Sequence, residues 1–171
     1  INKLNDGTSW DDIKKEYKDD ITFKINEILA QRERLWARRK LSRDESSKYL
    51  ITEEISSLND KLIDYSIAMD RMDYPVQIAV SRLMYPYMLK EEYRLRYEKF
   101  MEEYLKEVLT FYIKKEDREV LTWMIHEKRL EKASLLLAME ISRKEGKNGL
   151  LPVFMEYQNE NFKPKKKSFD L

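Results

Sequence analysis

Ile51, Ile55, Leu58, Leu62, Tyr65, Met69 and Met72 recur at spacings of 4, 3, 4, 3, 4 and 3. That alternation lines one face of an α-helix and fits no strand, in which successive side chains point to opposite faces. At 1.5 Å per residue it commits the fold to an apolar row about 33 Å long. The row must be covered. Residues 21–41 can cover it as the other arm of an antiparallel helical hairpin (21–72), joined through a short turn near Leu41 and Ser42. The alternative is self-association, with the row as a seam between two copies.

The chain has little with which to build anything but helices. In 171 residues it holds three glycines and four prolines, too few for the many tight turns of a sheet protein. Charged residues make up 38% and apolar ones 42%, enough for a core but with much wet surface. The expected class is all-α, an elongated helical bundle on the long antiparallel hairpin, with a mobile basic C-terminal tail.

Residues 1–148 read as one helical domain, with a short lead-in helix at 8–19 and the hairpin at 21–72. An aromatic helix at 87–114 and a last helix at 118–145 complete it. Thr8 and Ser9 can cap the lead-in helix, and Asp117 the last one, with Gly146 just past its end. Ser42 and Glu45 have the spacing of a capping box. Pro75 ends the seam helix, and 76–85 can form a short helix. Residues 149–171 read as an apolar docking segment and the tail.

Chemistry is constrained by what is missing. Cysteine is absent, so neither a thiolate nucleophile nor a thiolate metal site can form. His126 is the sole histidine, and no glutamate stands three places before it, as a helical di-iron site requires. Gly7, Gly146 and Gly149 are too scattered for a phosphate loop. Glu91-Glu92 and Glu102-Glu103 are sequence neighbours, which splay apart on a helix. The expectation is a protein that is not an enzyme, with no cofactor and no metal. No apolar run of about 18 residues is present, so no membrane partner is expected. A cytoplasmic location fits, or a nuclear one in a eukaryotic or viral setting.

Four stretches bear on partners. Gly7, Ser9, Ile13 and Tyr17 resemble the middle of a DNA-reading helix-turn-helix. The resemblance implies a reading helix that buries Ile21, Ile25 and Ile28 and shows Thr22, Lys24, Asn26 and Gln31 to a major groove. Against it stand Lys14 at a close-packing position, an acidic Lys18-Asp19-Asp20 turn, and too few residues before Asp6 for a supporting helix. Thr8, Ser9, Asp11 and Asp12 also explain the stretch as a capped helix start.

Arg32, Arg34, Arg38, Arg39, Lys40 and Arg43 form a basic cuff with Trp36 among them, suited to phosphates or an acidic partner. Its plain alternative is a solvated helix end whose cations favour the dipole. The aromatics at 93–112 interleave with Arg94, Arg96, Lys99 and Lys106, but their 4-3-4 spacing is that of a core. Lys163, Lys165, Lys166 and Lys167 suit an import signal, a phosphate-binding arm or an acidic-partner hook. Two functions follow: a non-enzymatic helical interaction protein (adaptor, assembly subunit or small inhibitor), or a nucleic-acid-binding regulator using residues 32–43 and the helix-turn-helix-like start.

Overall fold

The structure, a computed structural model, describes residues 10–162, with side chains described from Lys15 onward. The described residues form eight α-helices and a one-turn 3-10 helix, without a strand. The protein is all-α. None of these helices is long and apolar enough to cross a membrane. The chain divides into two compact units between Arg94 and Leu95, where a single domain to residue 148 was expected.

The first unit contains α1 (Trp10–Leu41), α2 (Glu45–Ala68), α3 (Asp73–Met84) and the start of α4 (Glu91–Glu103). α1 runs without interruption where two helices and an acidic turn at 18–20 were expected. Neither Gly nor Pro stands in Tyr17-Lys-Asp-Asp-Ile21, and Ile21 continues the face of Ile25, Ile28 and Leu35, all four buried. The turn that a helix-turn-helix needs here is therefore replaced by helix. Gly7, Thr8 and Ser9 lie outside the described residues.

α2 begins one cap later than Ser42 suggested. Asp44 takes the N-cap, accepting from the Ser47 N–H and from its hydroxyl, both at 2.8 Å. Those bonds hold the Asp44 carboxyl below its ordinary pKa, the backbone bond first. Ser42 instead donates its hydroxyl back to the Arg38 carbonyl at the end of α1. Ile51, Ile55 and Leu62 are buried, while Leu58, Tyr65, Met69 and Met72 are half-buried. Three of the seven are thus buried within one copy of the chain, and Leu35 of α1 packs on Ile51 and Ile55. A second row of α2, Thr52, Ser56, Asn59 and Ser66, is also buried, which the apolar pattern could not reveal. α2 stops at Ala68, short of Met69 and Met72, because Asp70 turns left-handed at φ 55°. Pro75 then sits inside the first turn of α3, where its missing N–H costs no helical bond.

The second unit holds the rest of α4, α5 (Leu105–Lys114), α6 (Arg118–His126) and α7 (Lys132–Lys144). The 3-10 turn Asn148–Leu150 and α8 (Leu151–Asn161) follow. The helix expected at 87–114 starts only at Glu91 and breaks at Tyr104. Its early part is lost to a loop in which Met88 is left-handed and Arg82 donates to the Tyr87 carbonyl. Tyr97, Phe100, Met101, Val108 and Tyr112 are buried, in keeping with core spacing. Burial pushes the Tyr112 hydroxyl up to about 12.

The helix expected at 118–145 is two helices, broken by residues 127–131. Nothing in Glu127-Lys-Arg129 reads as a breaker. The break serves tertiary contacts: Leu130 is 1% exposed, and Arg129 makes a two-pronged ion pair with Glu98. α8 occupies the segment expected to dock, and Phe154 is fully buried. Lys163, Lys165, Lys166 and Lys167 lie outside the described residues.

Four helix ends close the same way. Asp70, Glu116, Lys128 and Gly146 are left-handed, and each is followed by an N–H that reaches back to the last helical turn. Only the last is a glycine. Left-handed backbone costs a side-chain-bearing residue about 1–2 kcal/mol, against about 0.5–1 kcal/mol for the extra freedom of an unfolded glycine. Lys128→Gly is therefore expected to stabilise the second unit by about 0.5–1 kcal/mol, read as a rise of roughly 2 °C in thermal unfolding. Gly146→Ala should do the reverse.

Candidate functional site

The basic cuff of residues 32–43 does not survive folding as a ring. α1 lays its Leu35 side against α2, and that contact divides the cations between two flanks.

One flank is used for structure. Arg39 Nε donates to Thr52 Oγ1 of α2 at 2.9 Å, and Thr52 passes its own proton to the Lys48 carbonyl at 2.7 Å. The Arg39 guanidinium lies 5.5 Å from the Trp36 ring centre and 5.0 Å from that of Tyr87. Tyr87 in turn donates its hydroxyl to Glu45 at 2.6 Å, which lowers the Glu45 pKa from its ordinary value. Trp36 is half-buried against Leu35, Ile51 and Ile55. Arg39 and Trp36 therefore hold α1, α2 and the 85–90 loop together, and part of the indole is taken up by that packing. Arg32 is half-buried on the same flank.

The Arg34 and Arg38 flank, the last turn of α1 at Lys40 and the connection at Arg43 remain open. Arg34, Arg38, Lys40 and Arg43 are exposed, and no acidic side chain among the described residues forms an ion pair with them. The nearest carboxylates in sequence are committed elsewhere, Asp44 to its cap and Glu45 to Tyr87 and Lys48. Arg34 and Arg38 stand on the rim of a groove of about 330 Å³ between α1 and α2. Leu35 and Leu58 line it with Gln31, and Glu54 stands among the α2 residues.

Two leucines lie outside any core. Leu41 is 83% exposed and Leu50 is 65% exposed. Helical spacing places Leu41 on the Arg34 and Arg38 edge of α1, and Leu50 on the Glu54 and Leu58 edge of α2. Neither these leucines nor Glu54 were expected as site residues, and Gln31 was expected only on the groove-facing side of a DNA-reading helix. Their signal was present in sequence only as apolar residues that fall off the buried rows, readable once the rows are assigned.

In the second unit a cavity of about 430 Å³ is lined by Glu98, Met101, Leu105, Lys128, Arg129 and Ser134, among others. The Arg129–Glu98 pair occupies its wall, and Arg129 also stacks on Trp123 at 4.7 Å. His126 is exposed at the end of α6. No protein family, curated protein or solved structure matches the chain.

Proposed function

We propose that the protein is a non-enzymatic helical interaction protein that binds an acidic protein partner through the open end of α1 and α2. In this reading the two helices run antiparallel as a hairpin and present Arg34, Arg38, Lys40 and Arg43 to the partner. The observation that carries it is the split of the cuff: four cations stay exposed and unpaired among the described residues, while Arg39 is taken up by Thr52, Trp36 and Tyr87. Guanidinium groups favour carboxylates, which they grip with two parallel N–H donors.

Nucleic acid fits the same end less well. Trp36 is half-buried against Leu35, Ile51 and Ile55 and shares its ring with Arg39, which leaves less of the indole for a base.

Fluorescence anisotropy with labelled polyglutamate, DNA and RNA at about 50 and about 200 mM salt separates the two. Polyglutamate is expected to bind and to weaken with salt. Replacing Arg34, Arg38, Lys40 and Arg43 together by glutamate should cost more than about tenfold in affinity while circular dichroism stays unchanged. Tighter binding of DNA or RNA than of polyglutamate at the higher salt, or no polyglutamate binding at the lower, overturns the proposal.

A further inference from the structure

An acidic partner satisfies the cations but not the leucines. Exposed apolar side chains are ordinary when single. Here they are aligned. Leu58 lines the groove, and Leu50 lies eight residues earlier on the same edge of α2, about 12 Å along the helix. Leu35 lines the groove from α1, and Leu41 extends that side toward the connection. Together they mark an apolar strip of roughly two helical turns that continues the groove toward the connection between α1 and α2.

The strip is bordered unequally. On the α1 side stand Arg34 and Arg38, both exposed. On the α2 side Glu54 lines the same groove. A ligand lying along the strip therefore meets positive charge on one flank and a carboxylate on the other. A small anion would use the arginines and leave Leu41 and Leu50 in water. A flat acidic surface would meet Glu54 with like charge. An amphipathic helix meets all three demands, because anchors at i, i+4 and i+7 make a strip of this length and its two flanks can differ in charge.

We infer that the groove takes one amphipathic helix of the partner, with leucine-type anchors on Leu35, Leu58, Leu41 and Leu50. Its glutamates or aspartates face Arg34 and Arg38, and a lysine or arginine faces Glu54. This rests on the acidic-partner reading above and specifies its partner. Apolar anchors seated between charged flanks fix the register, and the carboxylate–guanidinium pairs fix the direction.

The test uses the whole protein and three labelled, side-chain-stapled helical peptides of about four turns. The first carries leucines at i, i+4 and i+7, glutamates on one flank and lysines on the other. The second carries glutamates on both flanks. The third is a scramble of the first. The first is expected to bind at least about tenfold tighter than its scramble. Leu41→Lys and Leu50→Lys, at positions exposed in the fold, should each weaken the first peptide severalfold without weakening polyglutamate. Glu54→Arg should weaken the first peptide and strengthen the second.

Equal binding of the first peptide and its scramble overturns the inference, as does an unchanged ranking of the first two peptides on Glu54→Arg. Either result leaves polyglutamate binding standing, so the groove would fall without the acidic-partner reading. Loss of polyglutamate binding itself removes both.

Discussion

Phe154→Ala is expected to cost the protein about 3–5 kcal/mol, the range for a large buried aromatic cut back to a methyl group. Phe154 is 0% exposed, Leu150 before it is 1% exposed and Tyr157 after it 8%. One face of α8 is thus core, packed in the unit that holds α7. The Tyr157 hydroxyl reaches the Leu130 carbonyl at 3.4 Å, a long bond that adds orientation more than energy. Denaturant unfolding of the variant checks the magnitude. Hydrogen exchange should show protection lost in α7 and α8. A change within about 0.5 kcal/mol would mean that residues 151–161 are an appended segment and not part of the second unit's core.

Arg39→Ala should be the most damaging arginine substitution in α1, by about 2–4 kcal/mol. A hydrogen bond from a charged donor contributes about 1.5–3 kcal/mol, and each cation–π contact about 0.5–1 kcal/mol. Arg39 supplies one such bond, to Thr52, which is 3% exposed, and two ring contacts. Lysine keeps the charge but not the planar fork, so Arg39→Lys should recover less than half of the loss. Urea titration followed by tryptophan fluorescence reads both variants. Recovery by lysine to the parent stability would reduce Arg39 to a surface charge.

The parts of this fold that sequence made legible are those that periodicity controls. The α2 row of Ile51, Ile55 and Leu62 and the α1 row of Ile21, Ile25, Ile28 and Leu35 are buried as their spacings indicate. What stayed hidden was decided by tertiary contacts. Glu127-Lys-Arg129 has ordinary helical residues, yet the chain turns there because Leu130 enters the core and Arg129 pairs with Glu98. Asp19-Asp20 looked like a turn, but acidic residues without Gly or Pro do not stop a helix whose apolar face continues. Asp44 outcompeted Ser42 as the cap because Ser47 stands three residues after it with two donors to offer.

The site shows the same limit. Six cations between residues 32 and 43 are plain in the sequence. Which of them remain open depends on the side of α1 that meets α2 and on Tyr87, which lies 48 positions beyond Arg39. No local pattern announces a residue that arrives from that distance.

The adjacent arginines offer the most direct test. Arg38→Ala and Arg39→Ala each remove one positive charge, one position apart, so net charge cannot distinguish them. Thermal unfolding and polyglutamate affinity should be measured on both. The expected result is a separation: Arg38→Ala keeps the parent unfolding temperature and binds more weakly, while Arg39→Ala unfolds at a markedly lower temperature and, while still folded, keeps most of its affinity. The contradicting result is the opposite assignment, with Arg39→Ala as stable as the parent but unable to bind, or Arg38→Ala binding polyglutamate as well as the parent does.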